Sequence, residues 1–305
     1  MTQRIYGEAC DASAAVQLDD DRHFVAATDD DNVLRVYDSH TPGLPVARLD
    51  VTSFLEPDDP EHLEADLEGA ARIGDRIYWI GSHGRSSSAK PRKIRRRLFA
   101  TRLVAHTGGV RLETIGVPYR SLLRDLRAST VFEPFGLSEA AERAPEEPGG
   151  LNIEGLAPTA DGDLLVGFRN PIPEGRALLV RVHAPHTLVE DAEASARLSV
   201  GGWLDLGGRG IRAIDPLPSR GYVIVAGTCD DSKDFALYLW SGMPDEPPRV
   251  VAADLDGLNP EELIVRAVDE QTVVLTLFSD DGTKPCKLAP LADRHFRAVD
   301  VRVKL

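Results

Sequence analysis

The apolar positions of this chain fall in short, nearly continuous runs divided by polar turns. Phe24-Val-Ala-Ala, Ile77-Tyr-Trp-Ile, Leu164-Leu-Val-Gly-Phe, Tyr222-Val-Ile-Val-Ala and Val273-Val-Leu-Thr-Leu-Phe are brief and rich in β-branched and aromatic residues. Such runs predict strands covered on both faces, because a strand with one wet face alternates. A turn precedes each run: Asp19-Asp20-Asp21, Gly74-Asp75, Asp161-Gly162-Asp163, Ser219-Arg220-Gly221 and Asp269-Glu270. Ahead of each turn stands a related motif: Asp11-Ala-Ser-Ala-Ala-Val, Asp66-Leu-Glu-Gly-Ala-Ala, Asn152-Ile-Glu-Gly-Leu-Ala, Gly210-Ile-Arg-Ala-Ile-Asp and Asn259-Pro-Glu-Glu-Leu-Ile. Most of these units measure roughly 50–60 residues, a repeat period. A third strand follows in most units, as in Leu98-Phe-Ala-Thr-Arg-Leu, and an outer one alternates, as in Phe296-Arg-Ala-Val-Asp-Val-Arg-Val.

Units of four short strands, stacked face to face and closed radially, make an all-β propeller whose middle strands lie between neighbouring blades. The pattern predicts a single β-propeller domain over residues 1–305, with five blades, or six if the long second interval hides one. That interval holds an insertion, residues 118–149, between the second and third blades. Pro118 ahead of Tyr119, Leu122, Leu123 and Leu126 has helical spacing, and Ser138 reads as the N-cap of a second short helix. The insertion reads equally as a lid and as a decorated loop.

In a propeller the first strand of each blade lines the central channel. The repeat therefore brings Glu68, Glu154 and Glu261 or Glu262 into one ring, with Ser13 and Arg212 at the equivalent places. Converging carboxylates either hold a hard divalent cation such as calcium or magnesium, or pair with basic groups. The Gly after Glu68 and Glu154 lets the backbone turn sharply or approach a ligand. The loops after the apolar strands form a second ring: Thr28-Asp-Asp-Asp, Ser82-His-Gly-Arg, Phe168-Arg-Asn-Pro, Thr228-Cys-Asp-Asp and Ser279-Asp-Asp-Gly. Turn chemistry explains the acidic loops. It does not ask for His83, Arg85 and Arg169, and Arg forks match phosphate or carboxylate.

Composition narrows the classes. A net charge of −14 argues against nucleic acid as the main partner. Residues 89–97 form the one dense basic run, read as a solvated loop or as an anion-collecting patch. No run of about 18 apolar residues offers a membrane span, and Met1-Thr-Gln-Arg-Ile-Tyr-Gly-Glu is not a signal peptide. Cys10, Cys229 and Cys286 lack disulfide or zinc spacing, so three reduced thiols in a cytoplasmic protein are expected. No G-x-S-x-G, P-loop or H-E-x-x-H motif occurs.

Asp66-Leu-Glu-Gly-Ala-Ala, Ile80-Gly-Ser-His-Gly-Arg, Arg96-Arg-Leu-Phe-Ala-Thr-Arg, Asn152-Ile-Glu-Gly-Leu-Ala, Gly167-Phe-Arg-Asn-Pro, Leu204-Asp-Leu-Gly-Gly and Ser279-Asp-Asp-Gly resemble the motifs of a widespread bacterial family of unknown function. The resemblance spans nearly the whole chain and implies no activity. The Glu-Gly motif is more distantly similar to that of esterase-like phytases.

The function expected from these residues is binding of a small anionic, phosphoester-like molecule at the channel, with metal-assisted hydrolysis of phosphoesterase or lactonase type as its extension. Arg85, Arg169, Asn170 and Arg212 would hold the anion. Glu68, Glu154 and Glu261 would hold the metal, with Glu68, His83 and Glu154 catalytic. The alternative is a non-catalytic scaffold that docks a protein partner.

Overall fold

In the computed structural model, which describes residues 2–18, 21–106, 109–230, 232–282 and 284–305, the chain opens with a strand, β1 (Thr2–Gly7), that joins the last sheet. The first blade is β2 (Ala14–Gln17), β3 (His23–Ala27), β4 (Val33–Asp38) and β5 (Ala47–Asp50). The second is β6 (Leu67–Ile73), β7 (Arg76–Gly81), β8 (Leu98–His106) and β9 (Gly109–Tyr119). The third is β10 (Asn152–Pro158), β11 (Leu164–Asn170), β12 (Ala177–His183) and β13 (Arg197–Leu204). The fourth is β14 (Gly210–Leu217), β15 (Gly221–Gly227), β16 (Phe235–Trp240) and β17 (Arg249–Val251). The fifth runs β18 (Pro260–Val268), β19 (Thr272–Ser279), β20 (His295–Lys304) and then β1, antiparallel throughout. This is a five-bladed β-propeller. Asp19 and Asp20 of the first expected turn and Asp231 of the fourth loop lie outside the described residues.

The five apolar runs are the second strands β3, β7, β11, β15 and β19. Their side chains, such as Phe24, Trp79, Phe168, Ile224 and Phe278, are wholly buried between blades. The seam between blades 1 and 5 holds Tyr6, Phe24, Tyr37, Phe278 and Phe296 in one aromatic cluster, with Tyr6 and Phe24 edge to face at 5.0 Å. Gly69 and Gly155 serve blade packing rather than a ligand. A Cβ on Gly69 would sit 2.9 Å from Leu156 Cβ, and one on Gly155 2.7 Å from Ile211 Cγ2. Only a residue without a side chain lets the innermost strands come this close.

Between β9 and β10 the chain forms helices Leu122–Ala128 and Leu137–Ala140 around a 3-10 turn, Thr130–Phe135. Leu122, Leu123, Leu126, Phe132 and Leu137 join the core of blades 2 and 3. Pro118 does not open a helix: it lies in β9, whose partner β8 keeps the chain extended to Tyr119. Ser138 is inside the second helix, and Gly136, with φ of +65°, starts it. No helix among the described residues is long and apolar enough to cross a membrane.

The cysteines depart from expectation. Cys10 and Cys286, 276 residues apart, form a disulfide, because ring closure sets the β1–β2 link beside the β19–β20 link. Linear spacing carries no trace of that closure. The cysteines thus lend no support to a reducing cytoplasm.

Candidate functional site

The ring foreseen from the repeat exists, and a shared backbone device builds it. The ladder between first and second strands skips one residue in four blades: Glu68 between Leu67 and Gly69, Glu154 between Ile153 and Gly155, Arg212 between Ile211 and Ala213, and Glu261 between Pro260 and Glu262. A bulged residue is freed from the alternation of the strand and can be re-aimed. These four side chains line an axial cavity of about 540 Å³. Ser13 stands just before β2 at the fifth place. Glu262 points between blades instead, where Oε2 accepts the Ala15 N–H at 3.2 Å.

Charge divides the cavity into two halves. On one side a chain of ion pairs runs across blades 3, 4 and 5. Arg169 donates to Glu154 at 2.9 Å, Arg212 lies 3.7 Å from the other Glu154 oxygen, and Arg212 donates to Glu261 at 2.7 Å. Arg169 also donates to the carbonyls of Thr228 and Asp230, tying blade 3 to blade 4. On the other side Glu68 has no ion pair or hydrogen bond from its carboxyl among the described residues. Burial, then Glu154 and Asp66, push its pKa well above the usual range. Asp66, paired with Arg95 at 2.8 Å, is raised by burial to about 7. Among the described lining residues, ten carboxylates face five cationic side chains.

Three expected site residues lie elsewhere. His83 is 1% exposed. Its Nδ1 is 2.8 Å from the Gly81 carbonyl, and burial lowers its pKa to about 4. The ring is not among the residues that line the cavity. Arg85 donates to the carbonyls of Ala141 and Ala89 and pairs with Glu142, so it fastens the insertion to blade 2. Asn170, 1% exposed, donates to the carbonyls of Pro145 and Glu147 at 2.8 and 2.7 Å. Asn170→Ala should cost about 1–3 kcal/mol and speed proteolytic cleavage around residues 142–150; unchanged cleavage would count against this anchoring.

The expected metal set is not assembled either. Glu154 and Glu261 are committed to arginines, and the carboxylates that do converge among the described residues are Asp11, Asp29 and Asp30. Within the basic run, Arg97 is 1% exposed and donates to the Leu55 carbonyl, and Arg95 pairs with Asp66 and Glu64, so these two arginines are already engaged. Sequence reading places Asp29 and Asp30 in the ring of loops but assigns them to turn chemistry, and it misses Asp66, Arg95 and Lys287 as cavity walls. The repeat alignment did set Asp66 beside Asp11 and Asn152, which was the available signal.

Fold and site together define a five-bladed propeller with an acid-rich axial cavity. Within that class the chain belongs to the family described as Protein of unknown function (DUF3616), whose model matches residues 117–288. No curated protein matches it in sequence. Among solved structures it is similar to the β-propeller domain of Myceliophteria thermophila Cps50 (Swd1), at 11% identity and a TM-score of 0.38 over 99% of each chain. It is also similar to a chain of the mitotic checkpoint complex, at 11% identity and a TM-score of 0.34, covering 94% of this chain and 63% of that one. Neither likeness bears on what this chain binds.

Proposed function

We propose that the axial cavity binds a small polar molecule that presents a cationic group, such as a primary amine, to Glu68. The observation that carries this reading is the Glu68 carboxyl, unpaired among the described residues, opposite a half of the cavity whose arginines are already engaged. A cation there would compensate a charge that burial otherwise penalises. The excess of carboxylates supports the same sign. The anionic ligand expected from Arg85, Arg169 and Arg212 loses its clamp, since Arg85 is remote and the other two neutralise Glu154 and Glu261.

The test is a thermal-shift and calorimetric series with 1,4-diaminobutane, inorganic phosphate and inositol hexakisphosphate. The diamine should raise the Tm of wild type by a few degrees at saturation and leave Glu68→Gln unmoved. Stabilisation by either phosphate compound and not by the diamine would restore the anionic reading.

A further inference from the structure

A second cluster stands at the rim of this cavity, where blade 1 meets blade 5. Asp29 and Asp30 follow β3 and face the cavity. Lys287, in the helix Lys284–Leu288, sets its ammonium 2.7 Å from Asp30 and 3.6 Å from Asp29. One positive charge thus answers two carboxylates. Asp11, in the link between β1 and β2, aims a third at them: oxygens of Asp11, Asp29 and Asp30 lie within 4.8 Å of one another. Asp11 is only 2% exposed, and neither of its carboxylate oxygens meets hydrogen-bond geometry with a donor among the described residues, although the Thr28 hydroxyl stands near them. A buried carboxylate with both oxygens unsatisfied is costly unless a cation or proton meets it.

We propose that Asp11, Asp29 and Asp30 together bind a divalent cation at this rim, in exchange with the Lys287 ammonium. Three carboxylates from two segments form an all-oxygen donor set, which suits a hard ion of the calcium, magnesium or manganese class, with water filling its remaining positions. Entry is from the axial cavity, whose wall includes Asp29, Asp30 and Lys287. The Lys287 side chain is 40% exposed and can swing into solvent when the ion arrives. The Cys10–Cys286 disulfide joins the neighbours in sequence of Asp11 and Lys287, holding carboxylate and ammonium at one place. Glu68 is not among the donors of this site.

The experiment is calorimetric titration of the full chain, disulfide intact, with calcium chloride and separately with manganese chloride, the latter followed by electron paramagnetic resonance. Wild type should take up one equivalent. Asp11→Asn should weaken it by at least about tenfold, since one charge near 4 Å is removed. Lys287→Met should tighten it by a similar factor, and Glu68→Gln should leave it unchanged. Failure of both wild type and Lys287→Met to bind either ion would overturn the proposal, as would Asp11→Asn binding as tightly as wild type. Loss in Glu68→Gln with retention in Asp11→Asn would move the ion to the axis and equally overturn it. Melting curves without added ion confirm that each variant folds; should Asp11→Asn not fold, tighter binding by Lys287→Met decides for the site, and its absence against.

Discussion

Arg169→Met should lower the stability of the propeller by about 3–5 kcal/mol, the usual cost of removing one partner from a buried ion pair. In Tm this is a fall of roughly 5–15 °C. The reason lies in what Arg169 leaves behind. Glu154 is 5% exposed, and its Oε1 accepts from both Arg169 and Asn152. Arg212, 3.7 Å away, is too distant and too engaged with Glu261 to replace the lost guanidinium. Two carbonyls of blade 4, on Thr228 and Asp230, lose their donor as well. Neutralising the stranded acid should recover part of the loss, so Arg169→Met with Glu154→Gln should be more stable than Arg169→Met alone. Additive losses in that double-mutant cycle, read from denaturant melts, would mean that the pair is not coupled and that Arg169 is free for a ligand.

The second large effect is an inverted pH dependence. In chelator, and without ligand, the Tm should fall as pH rises from 5 to 8. Burial raises Asp29 to about 6, and Asp66 and Asp215 to about 7. In the unfolded chain these groups release their protons near 3.8. The folded state therefore binds more protons throughout this window, and the unfolding free energy declines with pH. The stabilisation is complete below the unfolded values and is lost as pH climbs through the folded ones. For Asp66 alone the shift is worth up to about 4 kcal/mol. Glu68→Gln should stabilise the protein at pH 8 by about 1–3 kcal/mol and flatten the curve. Calorimetry at pH 5, 6.5 and 8 checks both. A Tm that is flat or rises over this range would show that the cavity carboxylates are ionised and compensated, leaving no demand for a cationic ligand.

The fold was legible because its signal is periodic. Five apolar runs at repeat spacing leave little besides radial stacking, and alignment of the repeats locates Glu68, Glu154 and Arg212 on the axis without any knowledge of the bulge that aims them. What sequence could not supply was pairing. Arg85 and Arg169 look alike as loop arginines. One is drawn to Glu142 by an insertion whose path the sequence does not reveal, and the other faces the cavity. Asn170 read as a ligand contact because its partners, the carbonyls of Pro145 and Glu147, are main-chain atoms that no side-chain pattern announces. Asp11 was treated as the first letter of a motif. Its burial beside Asp29 and Asp30 depends on the meeting of the first and last blades, a relation between residues nearly a chain length apart.

That meeting has a consequence for how the molecule forms. Strands β1 and β20 lie nearly 300 residues apart in the chain, yet all of β1 pairs with β20, from Thr2 against Asp300 to Gly7 against His295. Until β20 has been made, the nascent chain can assemble only an open arc of blades, with the aromatic seam of Tyr6 and Phe24 lacking Phe278 and Phe296. Lys287 and Arg297 arrive in the same closing stretch, so Asp29, Asp30 and Asp281 await their counter-charges until then. Long-range closure of this kind is slow, and it leaves apolar edges uncovered for the interval. A chaperone that shelters the arc, or a divalent ion that screens its acids, would act on the yield of this protein before acting on anything it binds.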